Sequence, residues 1–229
     1  MKRAVAKAGV AAMEMDIALL RTASGQARTA DMADLGARVV VVALFTLMAI
    51  RIGSDFLATG RITGLLLLAS ETLVVVLTVL RRGTSEVDRS YRARLLTAFS
   101  MMGPVLVRPA TVTALAPELA TVLLSAAGLS VVIAGKLSLG RSFGLMPANR
   151  GVVSSGLYRL VRHPIYTGYL ITHSGFLAAN PTLWNVVMLV GADIALLWRA
   201  VCEEQTLGKD TAYREYLQTV RWRVLPGVF

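Results

Sequence analysis

Residues 62–80 read "ITGLLLLASETLVVVLTVL", an apolar run whose single charge is Glu71. A run of about 18 residues or more constrains the fold severely, because backbone amides in hydrocarbon must find their hydrogen bonds inside their own helix. Further runs occupy 36–59, with "ARVVVVALFTLMAI" at their heart, and 119–135, "LATVLLSAAGLSVVIAG"; a weaker one, "LLTAFSMMGPVLV", fills 95–107. Two more, 165–179 and 182–201, are parted by Asn180-Pro181. Proline disfavours helix in the residue before it, so this pair reads as the turn of a helical hairpin. The pattern predicts an all-α fold, a polytopic integral membrane helical bundle of about six spans with a C-terminal helical hairpin. The composition, 55% hydrophobic and 17% charged with a mean hydropathy of +0.61, fits that class.

A formal charge of +10 raises the question of nucleic acid, which the placement of the charges answers. Of the 24 Lys and Arg residues, only Arg51, Arg61 and Arg108 fall on alternate loops; the rest gather at 1–38, 81–94, 136–162 and from 199 onward. The positive-inside rule sets those segments and both termini in the cytoplasm, so the charge is topogenic and no nucleic-acid partner is expected. The same rule requires an even number of crossings between the basic loops at 81–94 and 136–162, which makes 95–107 a span with a kink at Pro104. Residues 1–34 begin like a signal peptide, but Glu14 and Asp16 interrupt the apolar region, and an interfacial helix or a tail is expected there. With no repeat or linker, the chain divides into that tail, N-terminal transmembrane helices at 35–140, and a polar-punctuated region at 141–229. A single cysteine, Cys202, excludes an internal disulfide.

Polar residues collect at one level. "KLSLGRSFGLMPANRGVVSSGLYRLVRHPIY" at 136–166 and "WRAVCEEQTLGKDTAYREYLQTVRWRVLPGVF" at 198–229 bracket the hairpin. Its feet stand side by side because its turn is short, so Arg162-His163-Pro164 and Arg199 to Glu204 are predicted neighbours. Arg199 and Glu203, four apart, share one helical face, and Glu204 is turned about 100° away. A cluster of His, Arg and two Glu beside a bilayer is costly unless its members are paired or used. The only histidines, His163 and His173, lie too far apart for a metal set, and no metal is expected.

The series "GLYRLVRHPIYTGYL", then Asn180-Pro181, then Glu203-Glu204 and "YREYLQTVRWRVLPG", resembles the C-terminal half of the isoprenylcysteine carboxyl methyltransferase and phospholipid methyltransferase superfamily over about 142–227. The resemblance implies an integral membrane methyltransferase that binds S-adenosylmethionine in a cytoplasmic cofactor pocket and acts on a lipid or lipophilic small molecule reached from the bilayer. Carried over residue by residue, Gly151, Val152 and Val153 would pass along the cofactor. Tyr158, Arg162, His163, Pro164, Ile165 and Tyr166 would line it, and Glu203 would hold its polar groups with Glu204 as partner. Arg199, Glu203 and His163 would be the catalytic residues. A carboxylate acceptor is already a nucleophile that Arg199 would orient; an amine must first lose a proton, for which a glutamate or His163 is the candidate acceptor.

Other readings stand beside this one. Steroid and sterol reductases have a related "HP-x-Y" segment that binds NADPH, matched by His163 to Tyr166, and a non-enzymatic membrane protein with the same fold is a third possibility. Arg159 reads as a lipid-phosphate anchor and Tyr169 as part of an aromatic belt. His173, beside Thr172 and Ser174, reads as a helix-to-helix hydrogen bond. Glu71 either lines an access channel for the lipid or pairs with a neighbouring span. The expected location is multi-pass in a bacterial inner membrane.

Overall fold

A computed structural model describes residues 42–80, 91–139 and 152–229. Contacts divide the chain into Met1–Thr46 and Leu47–Phe229. Of the first unit only 42–46 are described, the opening turns of helix α1 (Val42–Thr59), where the Thr46 hydroxyl donates to the Val42 carbonyl at 2.8 Å.

Within the second unit α1 is followed by α2 (Thr63–Leu80), α3 (Tyr91–Leu106), α4 (Glu118–Leu139), a 3-10 turn at Gly156–Arg159, α5 (Pro164–Ala179), α6 (Leu183–Leu207) and α7 (Thr211–Thr219). No strand occurs among the described residues, as expected for an all-α membrane bundle. Among the described residues three helices, α1, α4 and α6, are long and apolar enough to cross a membrane. The doubtful run at 95–107 forms α3, a helix of 16 residues that carries Pro104 inside it.

The bundle is polar within and greasy without. Leu57, Leu119, Leu137, Leu183 and Trp198 are exposed, whereas Glu71, Lys136, His173, Asn185 and Arg199 are buried. In water such a distribution would be inverted; against lipid it places apolar side chains where hydrocarbon is the solvent. Without a hydrophobic driving force between helices, association rests on close backbone approach, which small residues permit. Helices α4 and α5 meet this way. A Cβ added at Gly128 would stand 2.6 Å from the Thr172 nitrogen, and one at Gly168 would stand 2.7 Å from the Val132 nitrogen. Gly175 likewise faces Ser125.

The hairpin of α5 and α6 has the predicted turn. Asn180 closes α5, and Thr182 caps α6 by accepting from the Asn185 amide at 3.2 Å. The tip is fixed by amide side chains. Asn180 Oδ1 accepts from the Ala110 amide at 3.0 Å, and Asn185 both accepts from the Arg108 amide at 2.9 Å and donates to the Arg108 carbonyl at 2.8 Å. The backbone groups recruited there belong to Arg108 and Ala110, in the non-helical segment beyond α3, where no helix supplies their partners.

Candidate active site

At the opposite end from that tip, the hairpin's two feet come together. Pro164 opens α5, where its missing N–H costs nothing, with His163 at the cap position. His163 is buried between the two glutamates of α6, its Nδ1 3.6 Å from Glu203 Oε2 and its Nε2 3.4 Å from Glu204 Oε1. The juxtaposition read from the short turn is therefore present.

The two carboxylates divide as the 100° helical step requires. Glu203 Oε1 accepts from the Tyr166 phenol at 2.8 Å and from Arg199, four residues earlier on its own helix, at 3.2 and 3.3 Å. The Arg199 guanidinium also lies over the Tyr166 ring, 5.4 Å from its centroid, and Tyr166 stacks on His163 at 5.2 Å. Glu204 faces the other way. It accepts from Arg162 at 3.2 and 3.4 Å and from Arg223 at 3.0 Å. Charge-assisted bonds of this kind are about twice as strong as neutral ones, so Glu204 is the more fully engaged of the pair.

The tail builds the outer wall. Backbone amides of Arg162 and His163 donate to the carbonyls of Trp222 and Arg223 at 2.9 and 2.8 Å, and the Thr167 hydroxyl donates to the Val224 carbonyl at 2.7 Å. Arg162 adds side-chain bonds to the carbonyls of Val220 and Leu217. Helix α7, capped by Asp210 on the Ala212 amide, buries Tyr213 and Tyr216 against Val220, and Val152 packs on that cluster. The Tyr216 phenol donates to the Tyr158 carbonyl at 2.7 Å. Burial pushes the Tyr216 phenol up to about 12, and burial likewise raises Tyr158 and Tyr213, so all three stay protonated at neutral pH. Gly156 turns this segment with φ +59, in the left-handed region that favours glycine, against Ser138.

Thus Arg162, His163, Pro164, Ile165, Tyr166, Arg199, Glu203 and Glu204 are brought to one level, with Tyr158 buried beside them and Val152 on the α7 cluster. Val153 is partly buried. Gly151 lies outside the described residues. No group of three or more metal-ligating side chains occurs among the described residues. Arg159 is exposed, compatible with a surface anchor.

Tyr169 is not the belt residue its composition suggested. It is buried, with Lys136 over its ring at 5.3 Å and His173 stacked on it at 6.2 Å, because its helical position points into the bundle rather than to the interface. His173 makes the expected helix-to-helix bond, Nδ1 to Oδ1 of Asp193 on α6 at 2.6 Å. Asp193 and Lys136 were missed as inward-facing charges; each is an isolated ionisable residue in an apolar helix, which is the signal that marked Glu71. A narrow pocket joins the two levels, with Tyr166 and Arg199 at one end and Glu71, Tyr169 and His173 farther along.

Residues 110–213 match the family described as Phospholipid methyltransferase. That stretch takes in α4, the α5–α6 hairpin and every candidate residue from Gly151 to Glu204, and it agrees with the superfamily resemblance carried by the motifs. No curated protein matches the chain closely enough to count as a relative.

Proposed function

We propose that the chain is an S-adenosylmethionine-dependent methyltransferase acting on a lipophilic acceptor that reaches the site from the bilayer. The family match supports membrane methyltransferase chemistry, and Glu203 carries the finer reading. It is a partly buried carboxylate whose Oε1 accepts from Tyr166 and Arg199, while among the described residues Oε2 meets the edge of His163 at 3.6 Å. A carboxylate so aimed, within aromatic and apolar walls, suits a cationic, hydroxylated ligand with a flat ring.

The donor set fits the methyl donor. S-adenosylmethionine has a sulfonium, an amino group, a carboxylate, ribose hydroxyls and an adenine, and the cluster offers carboxylates, a guanidinium, an imidazole set between the two glutamates, and Tyr and Ile surfaces. Glu203 would hold its polar groups and Val152, Val153, Tyr158, Pro164, Ile165 and Tyr166 its apolar faces. Arg162 and Glu204, tied to each other and to the tail, hold the wall in place. When bound, this group supplies an electrophilic methyl carbon. Arg199, which lines the pocket beside Tyr166, orients the acceptor. The remaining acceleration comes from alignment and from charges fixed before reaction.

Calorimetric titration of the detergent-purified protein tests this reading. S-adenosylmethionine should bind the wild type and at least tenfold more weakly to Glu203→Ala; binding of NADPH in its place would overturn it in favour of a reductase.

A further inference from the structure

Beyond the tail segment that crosses Arg162 and His163, residues 224–229 fold into a closed hook. Three successive amides, those of Arg223, Val224 and Leu225, donate to the main-chain oxygen of Phe229 at 3.0, 2.9 and 3.1 Å. The amides of Val228 and Phe229 both donate to the Leu225 carbonyl at 3.1 Å, and Gly227, with φ +85, supplies the left-handed step that the reversal needs. Successive N–H groups aimed at one point make a concave nest, and here the chain's own oxygen fills it. The hook is pinned from within: Val224 is fully buried, and the Phe229 ring packs on the cluster that includes Val132, Ile165, Tyr166 and Leu196.

Arg223 stands at the root of the hook and meets the candidate site twice. Its carbonyl accepts from the His163 amide at 2.8 Å, and its Nε donates to Glu204 Oε2 at 3.0 Å, while Glu204 Oε1 lies 3.4 Å from His163 Nε2. Its guanidinium lies over the Phe229 ring, 5.1 Å from the centroid. That side chain is 36% exposed. An arginine reached by solvent holds a carboxylate weakly, because water screens the pair and a long side chain gives up many rotamers to keep it. The face of Phe229 removes that freedom before Glu204 is met, and the amide nest fixes the ring relative to the arginine's own backbone.

We propose that Phe229 is a positioning residue for the candidate site: its ring and main-chain oxygen hold Arg223 in the geometry from which it fixes both the Glu204 carboxylate and the His163 backbone. What the site is for rests on the methyltransferase reading above, whereas the positioning can be tested with no methyl donor present. Glu204 draws on two guanidinium groups of different origin. Arg162 belongs to the same segment as His163 and moves with it, and Arg223 arrives from the tail as an independent bearing. With the guanidinium freed from the ring, Glu204 keeps Arg162 and loses the second bearing, and the imidazole 3.4 Å from its Oε1 meets a displaced carboxylate. The ring and not its bulk is what matters, because a leucine covers the same core cluster yet presents no aromatic face to a cation.

The chain has two histidines, so the imidazole 15N signals of the detergent-purified full chain can be assigned with a His163→Gln variant. Phe229→Leu should displace the His163 signals and leave those of His173 in place, and Phe229→Tyr, which keeps the ring, should return them to their wild-type positions. In calorimetry Phe229→Leu should weaken S-adenosylmethionine binding by about threefold to fivefold, the worth of one exposed guanidinium–ring contact. Added to Arg223→Ala it should cost nothing more, since a residue acting only through that side chain has no effect once it is gone. His163 signals unmoved by Phe229→Leu, equal displacement by Phe229→Leu and Phe229→Tyr, or additive losses in the double variant would overturn the proposal and leave Phe229 as packing alone. Should Phe229→Leu fail to fold, Arg223→Lys takes its place: it keeps the charge without the flat guanidinium, should move the same His163 signals, and overturns the proposal if they stay. A wild type that binds no S-adenosylmethionine overturns the methyltransferase reading, and the histidine spectra then decide the role of Phe229 by themselves.

Discussion

Tyr166 and Glu203 tie the two feet of the hairpin together: the phenol at the start of α5 donates to Oε1 of the carboxylate near the end of α6 at 2.8 Å. Because Arg199 donates to the same oxygen, the carboxylate cannot rotate without breaking three bonds, and Oε2 is held on the His163 side. The pair is both a clamp between helices and a fixed electrostatic direction.

Removal of the phenolic hydroxyl should loosen that direction more than the fold. Tyr166→Phe is expected to weaken S-adenosylmethionine binding about fivefold to tenfold, the equivalent of ~1 kcal/mol for one hydrogen bond to a charged acceptor, with little change in unfolding temperature. Calorimetry beside thermal unfolding in detergent separates the two effects.

Glu204 should behave in the opposite sense. It is the hub for Arg162 and Arg223, and its removal leaves the partly buried Arg162 guanidinium without a counter-charge, so Glu204→Ala should lower stability by about 2–3 kcal/mol. Arg223→Ala should cost about 1 kcal/mol or less, because that side chain is 36% exposed and screened by water. Equal losses for the two variants, read from denaturation midpoints, would contradict the hub.

The α4–α5 seam predicts a sharp contrast between glycines. Gly128→Leu drives a side chain into the Thr172 backbone and should destabilise the protein by about 1–3 kcal/mol. At Gly191 an added Cβ meets nothing within 4 Å, and Gly191→Ala should be neutral or gain up to about 1 kcal/mol through helix propensity. Unfolding curves of the two variants settle the comparison.

The alkaline limb of stability should bear the mark of Tyr216. Its phenol, near 10 when unfolded, is raised to about 12 by burial, so the folded chain retains a proton that the unfolded chain has released. The resulting stability is full below pH 10 and is lost as pH rises toward 12. Tyr216→Phe should start lower, lacking the bond to the Tyr158 carbonyl, and decline less steeply from pH 9 to 11 in thermal midpoints.

Much of the site was legible because it depends on local rules. Asn180-Pro181 announced a turn, a turn announced adjacent feet, and the four-residue spacing of Arg199 and Glu203 announced which carboxylate would face which neighbour. The 100° step then sent Glu204 toward groups from the tail, whose identity depends on where residues 220–224 return and is not written in any spacing. Asp193 and Lys136 escaped for a related reason: a single charge in an apolar helix has no period, and its meaning comes from the residue opposite. His173 and Asp193 are 20 residues apart and meet only through the register of the hairpin. Tyr169 was misread because aromatic composition near an interface says nothing of which way one residue points.

The strap of residues 222–223 across Arg162 and His163 also sets an order of assembly during synthesis. The two residues it holds leave the ribosome about 60 residues ahead of it, an interval of roughly 3–12 s at ordinary elongation rates. The hairpin is made within that interval, and once Glu204 has emerged the strap is still about 19 residues behind, so Arg162 lacks the carbonyls of Leu217 and Val220 and Glu204 lacks Arg223. The candidate site therefore matures last, after the helices that carry it, and a nascent chain halted before the strap would sit in the membrane with its hairpin formed and its chemistry unfinished.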